Sequence, residues 1–131
     1  MGVETGRSAG GGGIVTGARW LARVTFLVQL LLGIGLWTGR FDQVKPVHIA
    51  VGVLFVLGTW TVAAMAMRAG GNRALGALVV LWGVAMAIFG LIQEGILSGG
   101  AHWTVQILHL AVAMAAIAMT EALATRTFGT R

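Results

Sequence analysis

Between Arg73 and Glu94 the chain reads ALGALVVLWGVAMAIFGLIQ, twenty residues from Ala74 to Gln93 without a charged side chain. As a helix rising 1.5 Å per residue this segment covers about 30 Å, the thickness of a bilayer's hydrocarbon core. Outward from it, three further apolar runs stand at about Trp20 to Gly39, Val47 to Met67 and His102 to Ala124, separated by short connections. The expected fold is all-α: an integral membrane bundle of four antiparallel transmembrane helices over residues 19–126, with a C-terminal tail at 127–131.

Composition agrees with this reading and removes the alternatives. Of 131 residues, 57% are hydrophobic and 10% charged, against about a quarter charged in soluble domains, and the mean hydropathy is +0.89. A soluble enzyme and a disordered chain are both excluded. The absence of cysteine excludes a disulfide scaffold, a thiolate zinc site, an iron–sulfur cluster and covalent c-type haem attachment. Any metal must be held by nitrogen or oxygen. The formal charge of +5 does not point to nucleic acid, because the basic residues stand singly at the edges of the apolar runs.

Those basic residues set the expected orientation. Arg7, Arg19, Arg23, Arg68, Arg73, Arg126 and Arg131 fall on one side of the four runs, and only Arg40 and Lys45 on the other. Seven against two places both termini in the cytoplasm and the protein in the inner (plasma) membrane, multi-pass. Trp20, Trp37 and Trp103 fall at expected helix ends, where an indole can keep its N–H near the headgroups, whereas Trp60 and Trp82 lie deeper and read as packing residues. Residues 1–18, with Gly10 to Gly13, read as a flexible N-terminal tail. The first run is longer than a signal-peptide core and lacks a small-residue cleavage site, so it is expected to remain as a helix. Glycines at 33, 35, 52, 58, 76, 83 and 90 permit close helix packing or leave room for a flat cofactor.

Polar side chains within such runs are costly and usually face a site. They are His48, His102 and His109, with Gln29, Gln93, Glu94, Gln106 and Glu121 as secondary candidates. His48 follows Pro46, which a first helical turn tolerates. His102 and His109 are seven residues apart, about 20° around a helix and ~10.5 Å along it, so they share one face. Because the second and fourth helices both begin outside, the three histidines converge in the outer half of one bundle.

Two neutral imidazoles from different helices can hold a haem iron axially. The expected pair is His48 and His109, with His102 as the alternative second ligand. Measured from the expected span centres, His48 lies ~13 Å out and His109 ~6 Å, nearer the depth of His102 for His48. Burial favours His109, which is apolar on all sides in QILHLAVA (106–113), while His102 opens its helix after a polar loop. Gly52, one turn past His48, is expected to border the cofactor, and Arg40 and Lys45 to meet its propionates. One haem b is expected, and two layers are conceivable if a second copy contributes ligands.

Val47-His48-Ile49-Ala50 and Leu108-His109-Leu110-Ala111 resemble the histidine-bearing segments of one four-helix half of the haem A synthase family. The resemblance covers the four runs, about 105 residues. It implies a haem between the second and fourth helices. The chain departs from that family in having one four-helix unit, no outer-loop cysteine pair, and Lys45 where the catalytic unit carries a glutamate three residues before the histidine. Haem binding is therefore what the resemblance implies, and methyl-group hydroxylation is not.

Three function classes follow. The first is a b-type cytochrome that transfers electrons or serves as a haem-bearing subunit of a larger membrane complex. The second is a haem-modifying or quinone-linked oxidoreductase, and the third a cofactor-free membrane subunit or small transporter. The bilayer is the expected surrounding, a quinone or redox protein the expected kind of partner, and a homo-oligomer or larger complex the expected assembly.

Overall fold

The computed structural model describes residues 8–39 and 42–129. Arg7, Arg40 and Arg131 lie outside them, and with Arg40 goes one expected propionate partner. Four α-helices run Ser8–Trp37 (α1), Lys45–Arg68 (α2), Arg73–Ile92 (α3) and His102–Phe128 (α4), with short 3-10 turns at Asp42–Val44 and Gln93–Gly95. All four are long and apolar enough to cross a membrane.

Neighbouring helices are antiparallel, as the paired positions show. Gly11 lies beside Met65, Gly58 beside Ala22, Gly52 beside Gln29 and Gly33 beside His48 along α1 and α2. Gly76 meets Met67 and Gly83 meets Trp60 between α2 and α3, and Gly90 meets His109 between α3 and α4. The α2–α3 reversal needs a residue at positive φ, supplied by Gly70 at +79°, after which the Asn72 side chain caps α3 by accepting from the Leu75 N–H. Pro46 occupies the first turn of α2.

The first helix corrects one expectation. Residues 8–18 of the expected flexible tail are helical, so α1 begins about twelve residues before Trp20. Glycine costs up to about 1 kcal/mol per residue in a helix interior, and local propensity alone argues against this extension. Packing overrides it: Val15 and Ala18 are buried, and Ala18 joins Val62 and Ala124 in one apolar cluster. At the other terminus α4 runs on to Phe128, whose ring packs on the same end of the bundle.

Burial divides the bundle along its length. Every buried residue of α1 and α2 lies in Val15–Thr25 or Phe55–Ala66, and those of α3 in Gly76–Met86. In α4 they lie in Ala116–Ala124, with Val105 as the exception. We call this the packed half. Gly58 sets the α1–α2 spacing there, since a Cβ would stand 3.1 Å from the Ala22 nitrogen and 3.3 Å from the Ala18 carbonyl oxygen, the small-residue approach that membrane helices use. Trp60 donates to the Val80 carbonyl at 3.2 Å and Trp82 to the Val112 carbonyl at 2.9 Å, tying α2 to α3 and α3 to α4. Buried Thr25, Thr59 and Thr120 turn their hydroxyls onto their own helices' carbonyls, which satisfies them without a second helix. Among the described residues, the other half, 26–54 and 87–115, buries only Val105.

Candidate functional site

The histidines occupy the open half. His48 sits in the first turn of α2, and its Cε1 is 3.6 Å from where a Cβ on Gly33 of α1 would stand. His109 sits two turns into α4 with its Cε1 3.1 Å from the equivalent point on Gly90 of α3, and its ring packs obliquely on Phe89 with centroids 5.7 Å apart. Each imidazole thus lies over a glycine of the preceding helix, in ordinary contact at Gly33 and so close at Gly90 that even a methyl group there would push the ring back.

Four polar atoms at this end are buried without a hydrogen-bond partner: Nδ1 of His48, Nδ1 of His109, and the amide oxygens of Gln29 and Gln93. Orphaned buried polar atoms are rare because each forfeits its hydration, so a cluster of them marks a site. The arrangement repeats between the two hairpins. Gln29 stands one turn before Gly33 in α1, and Gln93 one turn after Gly90 at the end of α3, so each histidine faces a helix carrying a glycine and a glutamine on adjacent turns.

The remaining candidates separate clearly. His102 has a partner, its Nδ1 lying 3.2 Å from the Ile96 carbonyl oxygen, which fastens the α3–α4 loop to the start of α4. Lys45 donates to Glu94 Oε2 at 2.6 Å, joining α2 to the end of α3 across the mouth of the site, with both side chains largely exposed. The space at Gly52 is taken by the Gln29 amide, whose nitrogen lies 2.6 Å from a Cβ position there, so Gly52 accommodates a protein side chain. Glu121 lies in the packed half, accepting from Arg19 at 2.6 Å and from both Nε and Nη2 of Arg23 at 2.9 and 2.7 Å. Gln106 is half-buried on α4.

Among the described residues no three or more metal-ligating side chains gather. A two-imidazole set suits an iron whose other four ligands come from a porphyrin, and it is too small to hold a bare transition-metal ion in a closed protein site. Sequence reasoning did not single out Gly33 and Gly90 as the surfaces under the histidines, nor the glutamines as their companions. The available signal was the glycine–glutamine spacing of one turn in α1 and α3.

No family model, curated protein or solved structure gives a significant match to this chain.

Proposed function

We propose that the chain is a membrane b-type cytochrome, in which His48 and His109 hold one haem b between α2 and α4 for electron transfer, alone or as a haem-bearing subunit of a larger complex. The observation that carries this reading is the pair of half-buried imidazoles laid over Gly33 and Gly90, each with a buried Nδ1 that has no hydrogen-bond partner, in the half of the bundle that has almost no packed core. The group would supply one-electron redox chemistry. The chain's own part is to present two neutral imidazoles, hold their rings against glycine backbones and exclude water from the space between. Gln29 and Gln93 bring buried carbonyl oxygens to the same end, acceptors of the kind that fix an imidazole through its second N–H. Lys45 and Glu94 close the outer margin as an ion pair, which leaves Lys45 to exchange its carboxylate partner for a propionate.

Insertion in the plasma membrane with both termini in the cytoplasm belongs to the same proposal. Its support is the charge among the described residues, where the packed end carries Arg19, Arg23, Arg68, Arg73 and Arg126 with the carboxylate Glu121, while the open end carries Lys45 with Asp42 and Glu94.

Protein purified from haem-sufficient cells should carry a non-covalent haem with a low-spin b-type spectrum whose α and β bands sharpen on dithionite reduction. A folded, detergent-soluble but colourless protein from such cells contradicts the proposal.

A further inference from the structure

The packed half carries a second polar constellation that haem binding leaves unused. Thr16, Arg19, Trp20 and Arg23 follow one another at i, i+3, i+4 and i+7 along α1 and line one recess. The neighbouring face of the same turns carries Val15, Ala18, Ala22 and Thr25, buried in the bundle, so the recess lies at the edge of the bundle beside α4, with Trp20 on its exposed side. Its charges do not cancel: both guanidiniums converge on the one carboxylate of Glu121, which leaves one positive charge over. Nor are its donors exhausted. Arg19 Nε is buried with no partner, and Arg23 lies 5.6 Å over the ring of Trp20, itself 59% exposed.

We infer that this recess binds the phosphodiester of an anionic phospholipid from the leaflet at the packed end. The inference rests on membrane insertion and is independent of haem. One net positive charge matches one phosphodiester monoanion, and the unused guanidinium N–H groups are phosphate donors. An exposed tryptophan beside them is the side chain that best occupies the boundary between acyl chains and headgroups. Arg68, Arg73 and Arg126 are exposed further along at the same end and add to its positive field. A ring of cations repels the choline of a zwitterionic lipid and tolerates an uncharged or acidic headgroup, so the site selects net anionic lipids.

The test is native mass spectrometry of the full chain, purified in a neutral detergent and titrated with phosphatidylglycerol, phosphatidylcholine or inorganic phosphate. Wild-type protein should retain one phosphatidylglycerol in preference to phosphatidylcholine. Arg23→Gln should weaken that adduct about fivefold, the contribution of one arginine at a membrane surface. Trp20→Ala, which leaves both ion pairs with Glu121 in place, should weaken it as well. Glu121→Gln should strengthen it, because it frees both guanidiniums, a gain that a merely structural ion pair would not give. Equal retention of the two lipids, an unchanged adduct in Arg23→Gln, or a weaker adduct in Glu121→Gln overturns the inference. Displacement of the lipid by millimolar inorganic phosphate would assign the recess to free phosphate and overturn the lipid assignment. Failure of the membrane reading would show earlier and separately, as protein remaining in solution when cells are lysed and centrifuged without detergent.

Discussion

The two halves of this bundle are built from the same few residue types and use them oppositely. In the packed half glycines admit protein: Gly58 receives the backbone of α1 at Ala18 and Ala22, Gly76 the Met67 side chain, Gly83 the Trp60 indole. In the open half Gly33 and Gly90 lie under imidazoles. Polar groups differ in the same sense. The packed half pairs its buried threonines with backbone carbonyls and Glu121 with two arginines, leaving Arg19 Nε as its one unpartnered buried polar atom among the described residues, while the open half leaves four. The lesson is a division of labour along the helix axes. Where lipid surrounds helices, association depends on close packing and on paired polar groups, and one half supplies most of both. The other half is thereby free to keep a polar interior that contributes little to holding the bundle together.

Substitutions should break along that line. The largest loss of stability belongs to the packed half: Phe55→Ala, removing a ring 2% exposed and packed on Phe26 at 5.9 Å, should cost about 3–5 kcal/mol, read from denaturant unfolding in detergent. Glu121→Gln should cost less, about 1–2 kcal/mol, because it leaves two guanidiniums without their carboxylate but at sites still partly reached by solvent. Leucine in place of Gln29 or Gln93 should leave unfolding within about 0.5 kcal/mol of wild type. The same changes should lower haem retention about tenfold in a dilution assay, the scale on which groups behind a metal-ligating histidine act. If either leucine variant unfolds like Phe55→Ala, the halves are not functionally separate. Smallest is Lys45→Ala, whose exposed pairing with Glu94 is worth at most about 0.5 kcal/mol and should disappear in high salt.

The number of helices and most of their ends were legible because charged residues punctuate runs of bilayer length: Arg73 and His102 open α3 and α4 as expected. The start of α1 was not, since Gly10 to Gly13 carry low helix propensity and only the packing of Val15 and Ala18 on the rest of the bundle reverses it. Of the site, the placement of His48 and His109 in the same half of the bundle followed from helical periodicity and helix direction alone. Their surroundings did not, because which residue lies beside an imidazole depends on the lateral order and rotation of helices that sequence periodicity does not encode. For the same reason the pairing of Lys45 with Glu94, 49 positions apart, and of Arg19 and Arg23 with Glu121 could not be read from spacing. His102 is distinguished from His109 by the loop carbonyl of Ile96, a partner that only the folded loop provides.

The central claim is that the unpartnered imidazoles of the open half, His48 and His109, are the haem ligands. Its most direct test is low-temperature electron paramagnetic resonance of oxidised protein, comparing wild type with His48→Ala, His109→Ala and His102→Ala. The account predicts a low-spin ferric signal of bis-imidazole type in wild type and in His102→Ala. It predicts loss of that signal in His48→Ala and in His109→Ala, with unfolding midpoints equal to that of haem-free wild type. A low-spin signal that survives in His109→Ala and vanishes in His102→Ala would contradict it.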